Sequence, residues 1–146
     1  MARWKQILVG VDGSPASRKA LEWASDEAVR HGSELVLLTA YLAPPPPLGF
    51  GTVSVHEVQS ASAAASKAAE QLLMETIRDV LGEDPPVLVH PRVKEGNAAK
   101  LLIDLSEDAD VVVVGSRGYG GFAGLLLGSV SQNVAAHAKC TVVVAR

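Results

Sequence analysis

The stretch Asp110-Val111-Val112-Val113-Val114-Gly115-Ser116-Arg117-Gly118 sets four consecutive valines directly before a run of small and polar residues. A branched Cβ favours the pleated strand, and an apolar run without alternation is how a strand covered on both faces reads. The segment predicts a central parallel strand that ends abruptly in a loop. Three further runs share this character, Gln6 to Val11, Glu34 to Tyr41 and Cys140 to Ala145, and a shorter, weaker fifth covers Pro86 to His90.

Helical patterns fill the intervals. Ser14-Pro15 reads as a cap followed by proline at the first helical position, and Arg30-His31-Gly32 as the stop. Leu21, Trp23, Ala24, Ala28 and Val29 are its expected buried face. Ser54 to Glu57 reads as a capping box opening an alanine-rich helix that runs to Leu81 and stops at Gly82. Asn97 to Ser106 carries Leu101, Leu102 and Leu105 on one face, and Ser129 to Gln132 reads as a second capping box, opening a short helix to about Ala138. The order β-α-β-α-β-α-β-α-β builds an α/β fold, one domain over residues 1–146 with an open parallel five-stranded sheet and helices on both faces.

Composition narrows the function classes. With 48% hydrophobic and 20% charged residues the chain is neither disordered nor, at a net charge of −3, a phosphate-backbone binder, so no nucleic-acid partner is expected. The apolar run after Met1-Ala2-Arg3-Trp4-Lys5 is too short for a signal core or a membrane span, which points to a cytoplasmic protein without a membrane partner. Cys140 has no second cysteine to pair with and reads as a buried, inert thiol. His31, His56, His90 and His137 lack metal-ligand spacing, and Trp4 and Trp23 read as packing residues.

In open α/β sheets, ligands bind beyond the carboxyl ends of strands where the strand order reverses. Two such ends switch from apolar to small and polar: Val11-Asp12-Gly13-Ser14 and Val114-Gly115-Ser116. After the second, Gly115, Gly118, Gly120, Gly121, Gly124 and Gly128 fall within fourteen positions, giving a backbone free to take positive φ or to approach a ligand closely. Gly128-Ser129 then opens a helix whose first N–H groups favour an anion. The segment reads as a phosphate cradle, or else as a glycine-rich turn that lets helix and strand pack. Ser129 and Ser131 offer hydroxyls, Ser129 in competition with capping its own helix. Asp12, at the first of these ends, suits a turn or cap role.

Named phosphate motifs fit poorly. The chain has no Gly-Lys pair for a Walker loop. Gly118 to Ala123 matches G-x-G-x-x-A, but it follows the fourth strand, and no acidic residue comes after Asp110 to take a ribose, which disfavours a Rossmann dehydrogenase. A third strand ending in His90-Pro91 carries no phosphoacceptor aspartate, so a receiver domain is disfavoured too. Pro44 to Pro47 with Leu48 to Gly51 forms a loop after the second strand, a connector or a ligand cover.

The spacing Gly115-x2-Gly118-x9-Gly128-Ser129, with Ile7 to Ser14 at the start and Cys140 to Arg146 as closing strand, resembles the universal stress protein family along the whole chain. The resemblance implies the sheet order 3-2-1-4-5, which sets Asp12 beside Gly115. It implies ATP, with Mg2+, as ligand. Val11 and Asp12 would face the nucleoside, Asp12 on the ribose hydroxyls, and Ala40 would line the adenine pocket. Val114, Gly115, Gly118, Gly128, Ser129, Val130 and Ser131 would hold ribose and phosphates, with Arg117 screening phosphate charge or facing solvent. It also implies a homodimer through the last strand. The loop from Gly115 to Ser131 contains no Asp, Glu, Lys or His, so a nucleotide-binding module of stress response or signalling, with no catalytic residue, is favoured. A slow ATPase or self-phosphorylating protein stays open, as does cyclic AMP as ligand.

Overall fold

The computed structural model describes residues 3–45, 51, 54–118 and 127–146. Within them the chain runs β1 (Gln6–Gly10), α1 (Pro15–His31), β2 (Glu34–Tyr41), α2 (Val55–Leu81), β3 (Val89–Glu95), α3 (Ala98–Leu105), β4 (Val111–Gly115), α4 (Ser129–His137) and β5 (Thr141–Ala145). All strand pairs are parallel, in the order β3-β2-β1-β4-β5. The expected architecture and sheet order are what the chain adopts.

Period-two alternation divides the apolar residues of β1, β2, β4 and β5 between two cores. Ile7, Val9, Leu35, Leu37, Val111 and Val113 face α1 and α2, where Leu21, Ala24, Ala28, Leu73 and Ile77 complete one cluster. Leu8, Val36, Leu38, Val112 and Val114 face the other way, onto Ala99 and Leu102 of α3 and Val134 of α4. Covered on both faces, β1, β2 and β4 need no polar side, whereas the edge strand β3 packs Val89 and Val93 on one core and turns His90, Arg92 and Lys94 the other way. Val29 leaves the α1 stripe and is 54% exposed, because one residue beyond Ala28 the helix has turned by about 100°.

Caps set the helix ends. The Ser14 side chain accepts from Ser17 N–H at 3.2 Å, and Gly32 closes α1 at φ 67°. Ser54 and Glu57 form the predicted capping box of α2, and Asn97 caps α3. The second predicted box does not form: the N-cap position of α4 is held by Gly128, which makes no side-chain cap hydrogen bond. Ser129 is already the first helical residue, one position too late to cap.

The third strand is also displaced from its expected position. It covers Val89–Glu95 instead of Pro86 to His90 and passes through Pro91. Leu35 N–H donates to Leu88 O and Gly96 N–H to Tyr41 O, so the even-numbered residues of β3 turn their main chain towards β2. Pro91 lies on the outer edge, where the N–H it lacks has no ladder partner. The strand therefore ends in Glu95-Gly96, not His90-Pro91, and the ground on which a receiver domain was disfavoured moves to that end.

Candidate functional site

The chain leaves β1 for β2 and β3 on one side and returns to β4 and β5 on the other, so a crevice opens at the carboxyl ends of β1 and β4. A pocket of about 190 Å³ occupies it. All eleven residues expected at a site line this pocket: Val11, Asp12, Ala40, Val114, Gly115, Arg117, Gly118, Gly128, Ser129, Val130 and Ser131. They come from four separate segments of sequence, and the topology alone brings them together.

Three glycines of the loop do different work. A Cβ on Gly115 would stand 2.6 Å from the carbonyl carbon of Ala16 and 2.8 Å from Ser17 N, so the bare Cα lets α1 seat against β4. At this position the packing reading holds. Gly118 would push its Cβ to 2.5 Å from Asp12 Oδ2, towards the carboxylate end. Gly128 is different again: its Cβ would meet Arg117 Cα and Ser116 O at 3.5 Å and Gly118 N at 3.7 Å among the described residues, which is ordinary contact. None of the three has positive φ, contrary to one expected use of these glycines. Gly120, Gly121 and Gly124 lie outside the described residues, as do residues 46–50 of the proline-rich loop.

Hydrogen bonds assign the polar groups. Asp12 Oδ1 accepts from Ser14 N–H at 2.8 Å, which is the turn role, while Oδ2 lies beside Gly118 in the pocket wall. The two readings of Asp12 fall on different oxygens. Val11 N–H donates to Leu38 O and its carbonyl accepts from the Thr39 hydroxyl, each at 2.8 Å, so its N–H is not available to a ligand. The buried Ser131 hydroxyl donates to Ser116 O at 3.1 Å and Gly128 O at 3.0 Å, which withdraws it as a donor to a ligand. Ser129 is exposed and caps nothing.

The first turn of α4 thus presents N–H groups that no side chain among the described residues caps, and the helix dipole adds positive potential there. Among the described residues lining the pocket, Asp12 and Arg117 alone are ionisable. No group of three or more metal-ligating side chains occurs among the described residues, so Asp12 is the one carboxylate at hand for a cation.

Five lining residues went unforeseen: Gly10, Ser17, Leu38, Ala98 and Leu102. Leu38 was within reach, since it precedes Ala40 by two in the same strand and shares its face. Ala98 was hidden by the misplaced end of β3. Cys140 is only partly buried and lies just before β5, and burial raises its thiol pKa, with the Asp110 charge acting in the same direction. No helix among the described residues is long and apolar enough to cross a membrane.

Comparison with known proteins identifies the family and the fold. The universal stress protein family model matches residues 3–146. A universal stress protein of Mycolicibacterium smegmatis is 41% identical over 142 residues, which are 96% of this chain and 45% of that protein. The chain spans about half the length of the curated relatives it matches. Among solved structures, UspA from Lactobacillus plantarum superposes with a TM-score of 0.81 at 24% identity over 100% of both chains. A universal stress protein in complex with cAMP superposes at 0.61 with 27% identity, over 99% of this chain and 98% of that one. The chain belongs to the universal stress protein family.

Proposed function

We propose that this universal stress protein binds an adenine nucleotide, ATP with Mg2+, at the carboxyl ends of β1 and β4, and that it acts as a nucleotide-responsive module in stress response or signalling. The observation that carries the reading is the uncapped first turn of α4 beneath Gly128, a glycine whose missing Cβ no described neighbour requires. A bare Cα at this N-cap puts no side chain between a ligand and the N–H groups of the turn.

The phosphates would lie against the N–H groups of Ser129, Val130 and Ser131, with Arg117 nearby as counter-charge. Asp12 Oδ2 would accept from the ribose hydroxyls, and Leu38, Ala40, Leu102 and Val114 would form the apolar wall for the base. Mg2+ commonly keeps several waters and would here bind chiefly through the phosphates, since both Asp12 oxygens already have partners in this reading. The same donor set argues for holding ATP over consuming it: backbone N–H groups and one arginine bind ground state and transition state about equally.

Cyclic AMP is the second reading, favoured by the 27% identical relative solved with it. Mass spectrometry of the small molecule that co-purifies, followed by calorimetry with ATP and cAMP, tests both. Micromolar binding of ATP is expected, and no heat with either nucleotide overturns the site. We further propose a homodimer through β5: its edge carries three valines and an alanine with no charge, whereas the β3 edge carries Pro91, Arg92 and Lys94, residues that discourage strand pairing. A cytoplasmic location completes the proposal.

A further inference from the structure

Two carbonyls of the loop after β4 are held by two different helices. Ser116 O accepts from Gly128 N–H at 2.6 Å and from the Ser131 hydroxyl, both at the start of α4. The next carbonyl, Arg117 O, accepts from the Ser14 hydroxyl at 3.4 Å, across 103 positions of sequence. Ser14 is only 3% exposed and is also bonded locally: its hydroxyl oxygen accepts from Ser17 N–H, and its own N–H donates to Asp12 Oδ1.

Capping a helix needs only an acceptor lone pair, so it leaves the hydroxyl hydrogen without a fixed use. The neighbouring Ser17 sends its hydrogen to a local carbonyl, Ser14 O at 3.0 Å. Ser14 sends its own across the crevice. The bonds of its hydroxyl and N–H therefore connect the carboxylate of Asp12, the first turn of α1 and the backbone of Arg117. Immediately upstream, the bare Cα of Gly115 rests on Ala16, which leaves little slack before the loop.

We propose that Ser14 is a positioning residue that clasps the Arg117-Gly118 backbone to α1 and so fixes the phosphate end of the pocket relative to Asp12. The inference rests on the nucleotide-binding reading and names the residue that joins the two arms of that site. It separates the site into parts: the apolar wall and Asp12 do not depend on the clasp, whereas the geometry around Arg117 and Gly118 does. Binding of a phosphate-free ligand should be indifferent to the hydroxyl.

Ser14→Gly tests this in the full chain, because glycine serves almost as well as serine at an N-cap but has no hydroxyl. Calorimetry with MgATP and with adenosine, alongside thermal melting, gives the readout. A melting temperature close to the parent is expected, with adenosine affinity unchanged and ATP affinity down about three- to fivefold, the lower range for one lost hydrogen bond, as suits a 3.4 Å contact. Ser14→Asn, which caps and also supplies an N–H donor, is expected to bind ATP more tightly than Ser14→Gly, and it keeps the comparison with the parent open should the glycine variant not fold. ATP affinity equal to the parent in the hydroxyl-free variant, or equal losses for ATP and adenosine, overturns the clasp. A parent protein that binds neither ligand overturns the nucleotide reading instead.

Discussion

Alanine placed at Gly115 and at Gly128 should produce opposite phenotypes, though both residues line the same pocket. At Gly128 the backbone sits at φ −77° and ψ 170°, which any residue adopts, and the new Cβ finds contacts of 3.5 Å or more among the described residues. The folded chain loses only the advantage of glycine over alanine at an N-cap, about 1 kcal/mol, or roughly 2–4 °C in melting temperature. A bound phosphate meets a methyl group at the mouth of the α4 cradle. If that displaces one charge-assisted hydrogen bond, the loss is about 1.5–3 kcal/mol, a roughly ten- to hundredfold weaker Kd.

Gly115→Ala drives its Cβ to 2.6 Å from Ala16 main chain, which cannot rotate away as a side-chain tip would. Overpacking of this kind costs about 1–3 kcal/mol, so the melting temperature falls with or without ligand. Calorimetry and melting curves of the two variants, each with and without MgATP, give the comparison. A Gly128→Ala protein that stays folded and binds ATP with the parent's affinity would refute the assignment of this helix terminus to phosphate. Gly118→Val should also lose ATP affinity, although there the displaced Asp12 carboxylate contributes.

Other expectations follow from single contacts. Thr39→Val removes the hydroxyl on Val11 O, leaves a buried carbonyl without its partner and should cost about 1–3 kcal/mol in a denaturant titration, with no loss leaving this bond without energetic weight. Ser116 N–H donates to Ala145 O, so Val143 and Ala145 turn their main chain to β4 while Val142 and Val144 turn theirs outward; Val144→Pro should therefore yield a folded monomer by light scattering, and a variant that remains dimeric argues against the β5 interface. The raised Cys140 pKa predicts slow alkylation at neutral pH and a stability that falls as pH climbs from the ordinary thiol range through the raised folded value; rapid labelling at pH 7 contradicts it. Turnover of radiolabelled ATP should lie well below the roughly 1–10³ per second of ordinary enzymes, and robust hydrolysis that disappears in Gly128→Val would make this protein an ATPase.

Period and punctuation carried most of the fold into the sequence. Four of the strands announce themselves as apolar runs, and Ser14-Pro15, Gly32, Ser54-Glu57 and Asn97 act at the helix ends where their chemistry predicts. The third strand was obscured because proline is read as a breaker, and a breaker on an outer edge breaks nothing. The distinction depends on which side of Val89–Glu95 has a neighbour, a fact about topology that no window of residues contains. Ser129 misled for a smaller reason: a capping box one residue out of phase has the same composition as a real one.

The roles of individual site residues were harder to read than their membership. Loop glycines look alike in sequence, yet Gly115 is bare because Ala16 lies against it and Gly128 has room for a methyl group. Ser129 and Ser131 look equivalent, but only the second is buried with its hydrogen committed to two carbonyls. Each of these differences is decided by a contact between segments far apart in the chain. The Ser14 to Arg117 bond is of the same kind, and it means that the short run Asp12-Gly13-Ser14 acts twice. Asp12 supplies an oxygen to the pocket, and Ser14 ties the opposite wall to the same turn. A substitution in this turn therefore should not affect the nucleoside end alone, since any shift of α1 that moves Asp12 also pulls on the backbone of Arg117.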